Sequence, residues 1–265
     1  MLIKVVHKTV YTYDAPVSQA LQQVRLRPTD GPLQTVKDWD LEVEGGSAEA
    51  SYRDHHGNLV SLICADEGVT SLTITARGEV DTHDKAGVLG KVYGRAPLWY
   101  FLQSTQMTDA GPLIHEIADE VRGQGTDLEV LHRLSAAILE RVPYALNETH
   151  VETKAEEAVS QKSGVCQDHA NIFTSAARLL GFPARYVSGY LFMDDRVDQE
   201  ASHAWAEVHI VGLGWVGFDI SNQISPDERY IRLAVGRDAR DAAPISGLRM
   251  GEGDETLIVS LQVQQ

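Results

Sequence analysis

The hydrophobic period of this chain changes twice, and that switch restricts its fold more than any other feature. In the first third, Leu72, Ile74 and Ala76 alternate with Thr73 and Thr75, and Trp39, Leu41 and Val43 follow the same rule, as do parts of Lys4 to Tyr13. A period of two marks strands with one buried face. Turn-forming runs at Pro28-Thr-Asp-Gly31, Gly45-Gly46 and His56-Gly57-Asn58 separate them. From about residue 95 to 160 the spacing becomes helical, with Ile114, Ile117, Ala118 and Val121 on one stripe and Leu131, Leu134, Ile138 and Val142 on another. Thr126-Asp-Leu-Glu129 reads as a capping box, and Thr153-Lys-Ala-Glu156 as a second one before a shorter helix. A third helix is expected from about Cys166 to Leu180, stopped by Gly181 and Pro183.

Strand patterns then return at Arg185–Phe192, His203–Val211, Trp215–Ile220 and Leu257–Val263. The expected class is α+β. A sandwich-like antiparallel β domain over 1–85 precedes a unit over 86–265 with helices packed on an antiparallel sheet.

Composition narrows the function classes. Hydrophobic residues are 43% and charged residues 23%, which argues against disorder. The 38 acidic residues exceed the 23 basic ones and give a net charge of −15, which repels phosphate backbones and argues against nucleic acid as a partner. No apolar run approaches the roughly 20 residues of a membrane span, and Met1–His7 reads as strand rather than as a signal segment. The two cysteines, Cys64 and Cys166, exclude a disulfide framework and a four-cysteine zinc site. The expectation is a cytoplasmic protein with reduced thiols, no membrane partner and no cofactor; nothing in the sequence fixes the oligomeric state.

Cys166 stands in Ser163-Gly-Val-Cys166-Gln-Asp-His-Ala at the first turn of the third helix, where unpaired N–H groups and the positive dipole end favour an anionic sulfur. Downstream, His203, Trp205, Glu207 and His209 share one strand face, and a Gly-rich turn, Gly212-Leu-Gly-Trp215, leads to Asp219. Antiparallel pairing through that turn lets Asp219 approach His203, so that a carboxylate orients an imidazole and the imidazole activates a thiol. A metal at His203, Glu207 and His209 is disfavoured, since the two histidines stand about 20 Å apart along a strand at roughly 3.3 Å per residue.

Four runs, Gly164-Val-Cys166-Gln-Asp-His-Ala, Arg185-Tyr-Val-Ser-Gly-Tyr190, Ser202-His203-Ala-Trp205 and Gly214-Trp-Val-Gly-Phe-Asp219, resemble in order and spacing the motifs of the bacterial transglutaminase-like cysteine peptidases. The strand-rich first third is similar to the β domain that often precedes that core. The resemblance implies a papain-like core with the triad Cys166, His203 and Asp219. One departure is Ile220-Ser221-Asn222, where the family often has Pro and Thr before the Asn; the triad carboxylate is retained.

The expected chemistry is acyl transfer on amides of a peptide or protein substrate. Peptide or isopeptide hydrolysis through a thioester is the leading form. Glutamine transamidation or deamidation by the same triad, and a non-catalytic protein-binding module, are the alternatives. The backbone N–H of Cys166 is the first oxyanion donor; Gln161, Gln167 and Tyr144 are candidates for the second. Trp205 and Tyr190 are candidates for the cleft wall or the core. Cys64 reads as a core strand cysteine, His55-His56 as a turn, and His169 as an exposed helical residue. The acidic run Asp194 to Glu200 reads as a solvated hairpin.

Overall fold

The computed structural model describes residues 1–91, 96–199, 201–250 and 253–265. Its first part is built from β1 (Leu2–Tyr13), β2 (Gln19–Arg27), β3 (Gln34–Glu44), β4 (Gly46–Arg53), β5 (Leu59–Ala65), β6 (Ser71–Thr82) and the short β7 (Val88–Gly90). A 3-10 turn at Leu98–Leu102 leads to helices α1 (Pro112–Val121), α2 (Asp127–Arg141), α3 (Ala155–Gln161) and α4 (Cys166–Leu179). Seven more strands follow: β8 (Ala184–Leu191), β9 (Asp198–Gln199), β10 (His203–Ile210), β11 (Gly214–Phe218), β12 (Tyr230–Gly236), β13 (Ile245–Met250) and β14 (Glu255–Gln264). The α+β class expected from the period switch is what forms.

Alternation dictates the first unit. Ile3, Val5, Tyr11 and Tyr13 of β1 point inward with Leu72, Ile74, Ala76 and Val80 of β6 and Val24 and Leu26 of β2. Two sheets, ordered β3-β6-β1-β14-β9 and β13-β2-β5-β4, enclose this core. Strands β13 and β14, grouped by sequence with residues 86–265, hydrogen-bond into these sheets: β14 pairs with β1 from Lys4↔Gln264 to Tyr13↔Glu255, and β13 with β2. The chain therefore passes through the helical unit and returns to the sandwich.

The third sheet, β12-β8-β10-β11-β7, carries the helices on one face. Ala206, Val208 and Ile210 of β10 and Val216 and Phe218 of β11 pack against the apolar stripes of α1, α2 and α4. Every residue of β8 is buried: Tyr186 packs at the start of α4, Arg185 pairs with Glu207 on the other face, and Tyr190 at the far end joins the sandwich core with Ile231 and Leu233. Glu207 lies buried on the face of β10 away from the helices, its carboxylate held by Arg185 Nε at 2.6 Å and Arg232 Nε at 2.8 Å, while the Arg185 guanidinium stacks over Trp215 at 3.8 Å. A buried carboxylate persists only with such compensation. Glu207 is a structural ion-pair residue.

Thr126 caps α2 as expected, with Glu129 reaching back to its N–H at 2.8 Å. The second expected box is corrected. Lys154, not Thr153, precedes α3, and Glu156 instead accepts from the N–H groups of Gly111, Leu113 and Ile114 at 3.1, 2.8 and 3.1 Å. Its carboxylate caps α1, 45 residues away from Gly111 in sequence, where the free N–H groups and dipole concentrate positive charge. In the acidic segment, Asp195 pairs with Arg196 and Asp198 lies in β9, while Glu200 falls outside the described residues. No helix among the described residues is long and apolar enough to cross a membrane.

Candidate active site

The site forms where the start of α4 meets the ends of β10 and β11. Cys166 is the first residue of α4, half-buried against Ala170, Tyr186, Ala204, Ala239 and Ala242. The turn into the helix is locked by Asp168, which accepts from Val165 N–H at 2.8 Å and from the Thr149 hydroxyl at 2.7 Å. Gly164 is required there, because an added Cβ would sit 2.8 Å from Asp168 Cβ.

Strands β10 and β11 pair antiparallel with Ala206 opposite Phe218 and His209 opposite Trp215. Continuing that register, Asp219 falls on the same face as His203, and the ring Nε2–H donates to Asp219 Oδ2 at 2.6 Å. The Cys166 side chain is the ring's other hydrogen-bonding and electrostatic partner, which leaves Nδ1 for the thiol. Burial by itself would lower the pKa of His203, but the hydrogen bonds and negative charges of Asp219 and Cys166 override it and raise it to about 10. Asp219 is buried too, which works against its charge, yet His203, Asn222 and Tyr230 hold its pKa below the ordinary carboxylate value. The three groups assigned from sequence thus converge.

The shell around Asp219 is richer than the sequence suggested. Oδ2 also accepts from Asn222 Nδ2 and from the Tyr230 hydroxyl, each at 2.7 Å, and Oδ1 accepts from Asn222 N–H at 3.2 Å. Tyr230 opens β12, a strand that the sequence pattern did not reveal, and burial followed by the Asp219 charge raises its pKa. It therefore stays a neutral donor. The departure at Ile220-Ser221-Asn222 has a role of its own. Ser221 Oγ–H donates to His169 Nδ1 at 2.8 Å, and His169 Nε2–H donates to the carbonyl of Val142 at 2.8 Å.

His169, expected to be exposed, is 0% exposed. Burial keeps its pKa below the ordinary imidazole value, and the neutral ring bolts α4 to the Asp219 turn and to the end of α2. The signal that could have located it was the single helical turn between Cys166 and His169, which brings both near one face.

The secondary candidates divide. Tyr144, 50% exposed, pairs across Gly164 and packs near His169. Burial of its ring, then the charges of Cys166 and Asp219, raise its pKa, so it is a neutral phenol beside the thiol. Gln167 follows Cys166 but directs its amide to the Val151 carbonyl at 3.1 Å. Gln161 is an exposed residue at the end of α3, and no contact among the described residues joins it to the thiol or the imidazole.

Trp205 and Tyr190 are not exposed cleft walls. Trp205, 2% exposed, stacks beside the His203 ring at 6.3 Å and edge-on to Tyr230 at 5.4 Å, so it supports the imidazole from inside. Its ring lies over Gly189, where a Cβ would come within 2.4 Å of it. Tyr190, 0% exposed, faces the sandwich core and bonds His7 Nδ1 at 3.0 Å. Tyr190 shares the β8 face of Tyr186, which packs at Cys166, but lies four residues further along the strand, where that face meets the sandwich core instead of the site.

Comparison with known proteins agrees with this architecture. Residues 115–220 match the family described as the transglutaminase-like superfamily, and residues 3–81 match the bacterial transglutaminase-like N-terminal region. An uncharacterised protein of Mycobacterium tuberculosis (strain H37Rv) is 30% identical over 98% of this chain and 91% of its own length. A protein-glutamine gamma-glutamyltransferase of Pseudomonas aeruginosa is 29% identical over 52% of this chain and 23% of its own length. Among solved structures, one from Cytophaga hutchinsonii described as a "putative cysteine protease" superimposes with a TM-score of 0.80 at 22% identity, covering 100% of this chain and 90% of the other.

Proposed function

We propose a function from this premise: the chain belongs to the transglutaminase-like superfamily. Its activity is cysteine-dependent acyl transfer on amides, with hydrolysis of peptide or isopeptide bonds as the outcome. The observation that carries the reading is the His203 ring between the Asp219 carboxylate and the Cys166 sulfur, with a proton affinity raised by both.

Cys166 Sγ attacks the amide carbonyl, forming an S–C bond, and the carbonyl electrons move to oxygen. The N–H of Cys166, at the start of α4 where no preceding turn can accept it, faces that oxyanion, and the Tyr144 hydroxyl is the candidate second donor. His203 passes its proton to the leaving amine as the C–N bond breaks. In the second half, His203 takes a proton from water, whose oxygen attacks the thioester, and Sγ leaves with the product acid released. Asp219, held by Asn222 and Tyr230, orients the ring and stabilises its cationic form throughout.

An amine can replace water in the second step. The resemblance to a P. aeruginosa protein-glutamine gamma-glutamyltransferase favours that variant as the second reading. Mass spectrometry of the protein with a peptide library, with and without a primary amine, tests both. Cleaved peptides indicate hydrolysis, and amine-added glutamine peptides indicate transamidation. An unchanged library, or full activity in Cys166→Ala, refutes the proposal.

A further inference from the structure

Outside the thiol site, one trio of metal-ligating side chains stands together among the described residues. A ring nitrogen from each of His55 and His56 and a carboxylate oxygen of Asp241 all lie within 4.8 Å of one another. The residues come from opposite ends of the chain. The histidines occupy the turn between β4 and β5, and Asp241 lies in the turn after β12.

Both turns are held in place independently of the trio. Asp54 accepts from the N–H groups of His56 and Asn58 at 3.0 and 2.9 Å, and the Asn58 amide exchanges hydrogen bonds with Val235 of β12. Asp238 accepts from Asp241 N–H at 2.9 Å and fixes the second turn. The donors are therefore preorganised, which lowers the ordering cost of binding a ligand.

One donor pair already stands at cation-binding separation, and the third donor lies within 4.8 Å of it. Bonds of about 2.0–2.2 Å in tetrahedral array put neighbouring donors roughly 3.3–3.5 Å apart, and His56 Nε2 stands 3.2 Å from Asp241 Oδ2. The His55 ring lies against the His56 ring with centroids 4.1 Å apart. The Tyr100 oxygen is 2.9 Å from His55 Nε2. His56 is buried, with Nε2 as the nitrogen turned toward Asp241. His55 is exposed, and a cavity of about 300 Å³ lined by His55, His56, Phe101 and Arg185 gives access. Arg237, 3.5 Å from Asp241, is the cation that an ion would displace.

We propose that His55, His56 and Asp241 form a binding site for a divalent cation of the zinc class, distinct from the thiol site, which clamps the β4–β5 turn to the turn after β12. Imidazole and carboxylate donors together suit Zn²⁺ rather than the oxygen-seeking Mg²⁺. The clamped turn carries Ala239 and Ala242, which pack around Cys166, and Ala242 O accepts from Ser188 at 2.7 Å. The cation thus steadies the wall behind the nucleophile without touching the reacting atoms.

The test uses the full chain freed of metal by a chelator, in a Cys166→Ala background, because the thiol site also offers metal donors. Calorimetric titration with Zn²⁺ should show one equivalent bound and a raised melting temperature that Mg²⁺ does not reproduce. His55→Ala and Asp241→Asn, each added to that background, should weaken binding by more than the about 10–100-fold that loss of an outer partner typically costs. His55→Ala should leave the metal-free melting temperature close to that of the background, and Asp241→Asn, which also loses its pairing with His56 and Arg237, is read from affinity alone; should either misfold, the other and the Co²⁺ spectrum decide. Co²⁺ should give the ligand-field bands of nitrogen and oxygen donors with no sulfur charge-transfer band. No Zn²⁺ uptake by Cys166→Ala, unchanged affinity in both added variants, or a sulfur band arising from Cys64 would overturn the assignment.

Discussion

Asp219→Asn keeps the shape of the side chain and removes its charge, and the structure sets the size of the effect. Three donors converge on Oδ2: His203 Nε2 at 2.6 Å, Asn222 Nδ2 at 2.7 Å and the Tyr230 hydroxyl at 2.7 Å. His203 titrates near 10 against an ordinary 6.5, and Asp219 shares responsibility for that rise with Cys166. An adjacent opposite charge moves a pKa by about 1–3 units, so removing this one of two should lower the ring by about 2 units. At about 1.4 kcal/mol per unit, the imidazolium loses roughly 3 kcal/mol of stabilisation, equivalent to about a hundredfold in acylation rate. The loss grows further if the new amide turns its NH2 toward the ring and imposes the wrong tautomer.

NMR titration of labelled histidine, following His203 in both proteins, measures the shift directly, and kcat/KM on a cleaved peptide measures its consequence. An unmoved His203 titration, within about half a unit, would refute the electrostatic argument even if activity fell. Asp219 would then be only a brace.

Stability should also depend on pH through the same ring. His203 is raised when folded, so its contribution is complete below about 6.5 and disappears as pH climbs to about 10. Urea midpoints should therefore fall over that window, by at most about 1.4 kcal/mol per pH unit from this group, and Asp219→Asn should flatten the slope. Glu156→Gln removes the charge that caps α1 and should cost about 1–2 kcal/mol in urea unfolding while leaving Cys166 alkylation by iodoacetamide unchanged; an unchanged midpoint would show that the cap contributes nothing. Glu207→Gln leaves Arg185 buried with its charge uncompensated, and a loss of about 3–5 kcal/mol is expected by the same measurement. A loss below about 1 kcal/mol would mean that the guanidinium groups are compensated without the Glu207 charge.

Periodicity sufficed wherever a segment's own pattern decides its structure. The alternating residues of β1, β3 and β6, the stripes of α1 and α2, and the cap at Thr126 all follow from side-chain spacing against a local backbone. It failed where partners are remote. Thr153 and Glu156 have the right separation for a capping box, yet the carboxylate is drawn to the three free N–H groups of another helix. His169 looks like a surface residue by type, and its burial depends on Ser221 and Val142 arriving from elsewhere. Strand β12 lies between turns and shows no clean alternation, because nearly every residue in it is covered on both faces.

By itself the sequence determined the class of fold and pointed to three groups, Cys166, His203 and Asp219, that the fold brings together. A β-rich opening, a helical middle, a cysteine at a helix start and a Gly-rich turn that brings a carboxylate back to a histidine are all local instructions. Only the tertiary structure decided that the last strands rejoin the first sheets, that Asn222 and Tyr230 hold Asp219, and that His55 and His56 meet Asp241. Those contacts depend on which surfaces bury each other. Burial is settled by the whole chain at once, because the free energy of excluding water belongs to the assembled core rather than to any one segment.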